Sequence, residues 1–200
     1  MRARFQAVAV AVAVLACGFV SGCADTRYET PEATLETAKV AFADNDYNDF
    51  CDCLSEDGRD QMAAMMVLLG RYRQLTTEGE AAEEIAAVLK KHGLEEADTK
   101  NVNGDPNASD QSAKAQFKKL VEPIKDRSAF IVEIIAVIRK HSDQPDTKLL
   151  LPDARLTDLK IDGQVATAKL VQTRDGEEKT TPIKFAKNGN QWKIDEFVLN

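Results

Sequence analysis

Polar side chains are missing from Ala7 through Val20, a run of mostly alternating Ala and Val broken only by Gly18. A membrane-spanning helix needs roughly 20 apolar residues. This run is shorter, has Arg2 and Arg4 before it, and meets small residues at its end. That is the profile of a cleaved secretory signal peptide over residues 1–22. Residues 23–29 then read as a tether, and 30–200 as a single domain.

Beyond the leader the apolar positions take a helical spacing. In "TPEATLETAKVAFADNDYNDF", Leu35, Ala38, Ala41 and Phe42 share one face. Thr30 is a good N-cap, Pro31 suits the first helical position, and Glu32 sits at the positive end of the dipole. "DNDYN" interrupts, and Tyr47, Phe50, Cys51 and Leu54 stripe a short second helix. Ser55 can cap a third, with Met62, Met65, Met66, Leu69 and Tyr72 as its apolar face and Gly58 and Gly70 as weak points. A fourth is expected from about Glu78 to Lys91, with Thr77 and Glu80 as a capping box and Gly93 past its end. "EEADTKNVNGDPNASDQS" is too polar to pack and reads as a long loop. Helical patterning resumes in two pieces around Pro123. Ala129 to Ile138 is apolar except for Glu133 and ends in Arg139, Lys140 and His141, which suits the C-terminus of a buried helix.

From Leu151 the period drops to two. "ARLTDLKIDG", "QVATAKLVQT", "KTTPIKFAKNG" and "QWKIDEFVL" alternate in polarity, with Asp162-Gly163, Asp175-Gly176 and Asn188-Gly189 between them. Such dipeptides between alternating runs are strong hairpin signals. Four strands in an antiparallel meander follow, with Phe185, Trp192 and Ile194 on apolar faces, as core or as the lining of a pocket. Helices first and strands after predict an α+β fold with a helical stretch at about 76–150 inside it.

The end of the leader carries a second signal. Val20-Ser21-Gly22-Cys23 resembles a bacterial lipobox: a branched apolar residue, two small ones, then Cys. In lipoproteins that cysteine receives a diacylglycerol and becomes the first residue of the mature chain. The resemblance therefore implies lipid attachment at Cys23, export, and a bilayer as partner. Val14-Leu15-Ala16-Cys17 is a poorer match behind a shorter apolar run. Ala24, rather than Asp, after the cysteine favours the outer over the inner membrane by the sorting rule of well-studied Gram-negative bacteria.

The opening helix pattern, and a tail in which "ATA" is followed by "NGNQWKIDEF", resemble exported nuclear transport factor 2-like (cystatin-like) domains. The likeness spans about 30–70 and 154–198, and the stretch from 76 to 150 departs from it. In that superfamily a bent sheet wraps a helix into a cone. The cone holds a catalytic pocket, a small ligand, a protein partner or nothing, so the fold alone names no activity.

Charge narrows the choice. The chain has 26 Lys and Arg against 33 Asp and Glu. Removing Arg2 and Arg4 with the leader leaves 24 against 33, or −9, which does not suit nucleic acid. Cys51-x-Cys53 lacks the further ligands of a zinc site and the surroundings of a redox motif, and reads as packing. The Met62-Met65-Met66 cluster reads as core. No calcium loop, phosphate loop, nucleophile elbow or zinc-protease motif is present, so no cofactor, metal or catalytic residue is expected. The leading expectation is a membrane-anchored binding or scaffold module of the cell envelope, taking an envelope protein or a small hydrophobic ligand. The alternative is an isomerase or hydrolase that uses the cone, with Asp158 or Asp195 as base.

Overall fold

The computed structural model describes residues 26–94, 110–142, 153–174 and 176–197. A 3-10 turn, Thr26–Tyr28, precedes α1 (Pro31–Ala43), α2 (Tyr47–Asp52) and α3 (Glu56–Thr76). Next come α4 (Glu80–Lys91), α5 (Asp110–Val121) and α6 (Arg127–Lys140). Strands β1 (Arg155–Asp162), β2 (Val165–Arg174), β3 (Glu177–Asn188) and β4 (Gln191–Phe197) follow as one antiparallel sheet in sequence order. The α+β order and the four-stranded meander are as expected, and α6 is a helix despite its β-branched residues.

Four helix starts are set by short polar side chains that satisfy orphan backbone donors. Thr30 accepts from Ala33 N at 3.1 Å, Asp46 from Asp49 N at 3.0 Å, Ser55 from Gly58 N at 3.0 Å, and Asp126 from Ala129 N at 2.9 Å. The capping box expected at Thr77 and Glu80 does not form. Thr77 instead closes α3, and Gly79 takes the N-cap of α4 at φ +74° with no side-chain bond. A left-handed φ excludes the extended backbone that a capping Thr needs, and it suits Gly. Tyr28, within the expected tether, is buried, so the packed chain begins earlier than residue 30.

α3 is the centre of the helical layer and packs on α4, α5, α6 and β4. Its buried face is Met62, Ala63, Ala64, Met66, Val67 and Gly70. Met65 and Leu69 are half-buried. Tyr72, expected on the apolar face, is 63% exposed, in line with Leu68 and Leu75 on the outer side. Beyond Gly70 the stripe has rotated away from α3's neighbours.

The sheet joins the helices through β4. Ser55 N donates to Ile194 O, and Ile194 N to Cys53 O, both at 2.8 Å. This parallel bridge gives β4 a partner on its free edge. Thr34, fully buried in α1, donates its hydroxyl to Trp192 O at 2.9 Å. Gly58 lies so close to β4 that an added Cβ would stand 2.3 Å from Ile194 O. Gly58 and Gly70, weak points for a lone helix, are sites of close packing; at Gly70 the neighbour is Ile134.

Two β-bulges adjust the faces. In β1 the register slips between Thr157 and Lys160, with Asp158 at φ +54°. The extra residue turns Leu159 inward beside Leu156, so β1 departs from the simple alternation read in the sequence. In β4, Lys184 pairs with Glu196 and Phe185 with Ile194, which makes Asp195 the extra residue. The inner face, with Ala166, Ala168, Leu170, Ile183, Phe185, Trp192 and Ile194, shares one apolar core with the helices.

Candidate functional site

The three residues expected to line a pocket or the core are core. Phe185, Trp192 and Ile194 are 0%, 4% and 3% exposed, and Phe130 and Ile134 of α6 are fully buried in the same cluster. Cys23, expected to carry lipid, and the poorer match ending at Cys17 lie outside the described residues.

Both candidate bases are engaged by neighbouring side chains. Asp158 sits on the exposed β1 bulge, 2.8 Å from Lys169 Nζ, and that hydrogen bond holds its carboxyl below the ordinary range. Asp195 faces α3: it accepts from the Ser55 hydroxyl at 2.8 Å and stands 3.6 Å from Lys184. Ser55 in turn caps α3. Asp195 is thus tied into the joint between helix and sheet, where its hydrogen bond holds the capping rotamer.

Cys51 and Cys53 are free, buried thiols, and Cys53 is as much core as Cys51. Burial pushes Cys51 up to about 11 and Cys53 up to about 12. A thiol so raised is protonated at neutral pH and is a poor nucleophile or metal ligand. The Cys53 thiol donates to Asp49 O at 3.2 Å and is hydrogen-bonded with the Tyr28 side chain. Burial also raises Tyr28 to about 12. Among the described residues no three His, Cys, Asp or Glu side chains are grouped to hold a metal ion, and no helix is long and apolar enough to cross a membrane.

The structure also brings together a charged constellation that residue-by-residue reading of the sequence missed. At the end of α4, Lys91 and His92 meet Glu133 of α6 at 2.7 and 3.2 Å. At the end of α6, Lys140 and His141 meet Glu84 of α4 at 2.5 and 3.1 Å. Each helix thus grips the other with the same set, and the two hold an antiparallel register. His92 also packs edge-on against Phe130, ring centroids 5.3 Å apart. Bonds from Lys140 and His141 lower Glu84, and bonds from Lys91 and His92 lower Glu133. The signal was in the chain: "EIAAVLKKH" at 84–92 matches "EIIAVIRKH" at 133–141, with Glu, Lys and His at equal spacing. Both histidines are the C-cap residues of their helices, with Nε2 within hydrogen-bond distance of a glutamate on the other helix.

An open groove of about 370 Å³ runs beside the 3-10 turn, between α1 and α2. Arg27, Glu36, Asp44, Asp46 and Asp49 form its polar rim, with Val40 as an exposed apolar wall. Arg27 pairs with Asp49 at 3.0 Å, so the rim is acidic on balance.

Comparison with known proteins returned no matching family model, no matching curated protein and no matching solved structure.

Proposed function

We propose that this chain is an exported lipoprotein, held on a bilayer by lipid at Cys23, whose folded domain is a non-catalytic binding or scaffold module of the cell envelope. Val20-Ser21-Gly22-Cys23 behind a basic and then apolar leader carries this reading. One acyl chain gives marginal, reversible membrane binding, and two or more give stable anchoring. The non-catalytic part is supported by the residues themselves. Asp158 and Asp195 are engaged in structural contacts, both histidines cap helices, and the inner sheet face is filled by side chains.

For the fold we propose a helical variant of the nuclear transport factor 2-like architecture. Packing of α1 and α3 on the last strand, and a closing meander with the "ATA" and "QWKI" strands inside it, support that reading. Three helices, α4 to α6, occupy the stretch that departs from the family's pattern.

Fractionation in a Gram-negative host tests the anchor. The wild-type chain is expected in the membrane fraction, resistant to high salt and released by detergent. The Cys23→Ser chain is expected to lose that behaviour. A wild-type chain that is soluble after export contradicts the proposal.

A further inference from the structure

The likeness of 84–92 to 133–141 extends beyond the ion pairs. Six of the nine residues are identical at a spacing of 49. The exceptions are Ala86 against Ile135, Leu89 against Ile138 and Lys90 against Arg139. Burial follows the same order. Ile85 and Ile134 are buried, as are Leu89 and Ile138. Positions 87 and 136, and 91 and 140, are exposed, while 84 and 133, 88 and 137, and 92 and 141 are half-buried.

Both helices pack on α3, and matched residues meet it at one point. A Cβ built on Gly70 would stand 3.4 Å from Ile134 Cδ1 and 3.7 Å from Ile85 Cγ2. Glycine lets two branched side chains approach one backbone there. The ion pairs at one end of the α4–α6 contact are those at the other end with the helices exchanged. That exchange is the mark of a two-fold, isologous contact. Here both halves belong to one chain, and Gly70 lies beside the axis.

The match breaks on one side only. Position 86 is half-buried where 135 is buried, and 90 is exposed where 139 is half-buried. Positions 128, 135 and 139 share a helix face. That face meets α2: Arg139 donates to the Tyr47 hydroxyl, and the Ser128 side chain is hydrogen-bonded with the Cys51 thiol.

We propose that α3 offers two equivalent seats about Gly70, each reading the same nine-residue unit, and that α6 departs from the unit where it also supports α2. Either sequence then serves in the α4 seat, whereas the α6 seat requires Ile135 and Arg139. This does not depend on lipid attachment.

The test uses the mature chain with Cys23→Ser, which leaves Cys51 and Cys53 as its thiols. Ala86→Ile with Leu89→Ile and Lys90→Arg writes the α6 unit into α4. Ile135→Ala with Ile138→Leu and Arg139→Lys writes the α4 unit into α6. The first variant should unfold in urea in one step at a midpoint close to that of the parent, with Cys51 still protected from a thiol reagent. The second should unfold at a clearly lower midpoint and label Cys51 several-fold faster without urea, because α2 opens locally when its support is lost. Ile138→Leu alone, a volume-conserving change within the seat, should alter neither readout. If the second variant does not fold, Ile135→Ala alone should show the same loss in milder form. Early unfolding or rapid Cys51 labelling in the first variant overturns the equivalence of the seats. A second variant that matches the parent, or Ile138→Leu alone reproducing its loss, overturns the role assigned to α2.

Discussion

Gly58 has two opposing claims on it. In an isolated helix Ala would be favoured over Gly by about 1 kcal/mol. In this molecule the added methyl would meet the Ile194 carbonyl at 2.3 Å. Backbone on both sides cannot yield cheaply, and overpacking of this kind costs about 1–3 kcal/mol. Because the clash at 2.3 Å is with backbone, it puts the cost at the upper end of that range, and Gly58→Ala should destabilise by up to about 2 kcal/mol net of the propensity gain, read as a lower urea midpoint at unchanged slope. A midpoint at or above wild type would contradict the close approach of α3 and β4. The thiols offer a second check on the same joint. With burial holding Cys51 and Cys53 at about 11 and 12, neither should react with a thiol reagent at pH 8 in the folded chain, and both should react in denaturant. Rapid labelling of the native chain would contradict their burial. Caps such as Thr30 and Ser55 were legible because capping is a local bargain between one side chain and the next turn. Gly58 and Asp195 were not, because their roles depend on the meeting of α3 with β4, whose contacting residues Ser55 and Asp195 are 140 apart in the chain, and no local pattern records it.

The helices and hairpins were mostly legible because each rests on periodicity and turn chemistry close in sequence. Departures come where that local logic breaks. Gly79 displaces the capping box of α4, and the Asp158 bulge interrupts the period of two in β1. The paired grips of α4 and α6 needed a comparison of the chain with itself, since each half alone looks like an ordinary basic helix end. They have a pH signature. Bonds from Lys140 and Lys91 chiefly hold Glu84 and Glu133 below the ordinary glutamate value of 4.5 in the folded state. A carboxyl with a depressed folded pKa binds its proton more readily when unfolded. Its contribution is therefore present above pH 4.5 and is lost as pH falls through the lower folded value. Both groups are solvent-accessible, so the contribution is modest and weakens with salt. Glu84→Gln with Glu133→Gln should lower the thermal midpoint slightly at pH 7 and reduce its fall as pH drops below about 4.5. An unchanged acid limb in the double variant would contradict the grips.

At the scale of the whole molecule, sheet and helices share one core, joined where Cys53–Ser55 meets Ile194 and where Thr34 meets Trp192. The inner face was legible as apolar, but whether Phe185, Trp192 and Ile194 would line a space or fill one was not. That depends on how α1 and α3 pack on β4, which closes the inner face of the sheet into the core of the helices. The anchored state is the central claim of the account, because it makes the bilayer the partner. Intact mass of the mature chain from a Gram-negative host tests that state most directly. The account requires a chain beginning at Cys23 and carrying the added mass of a diacylglycerol and an N-linked acyl group. An unmodified chain cut elsewhere, with the same mass shift from the sequence start in wild type and Cys23→Ser apart from the substituted atom, would contradict it.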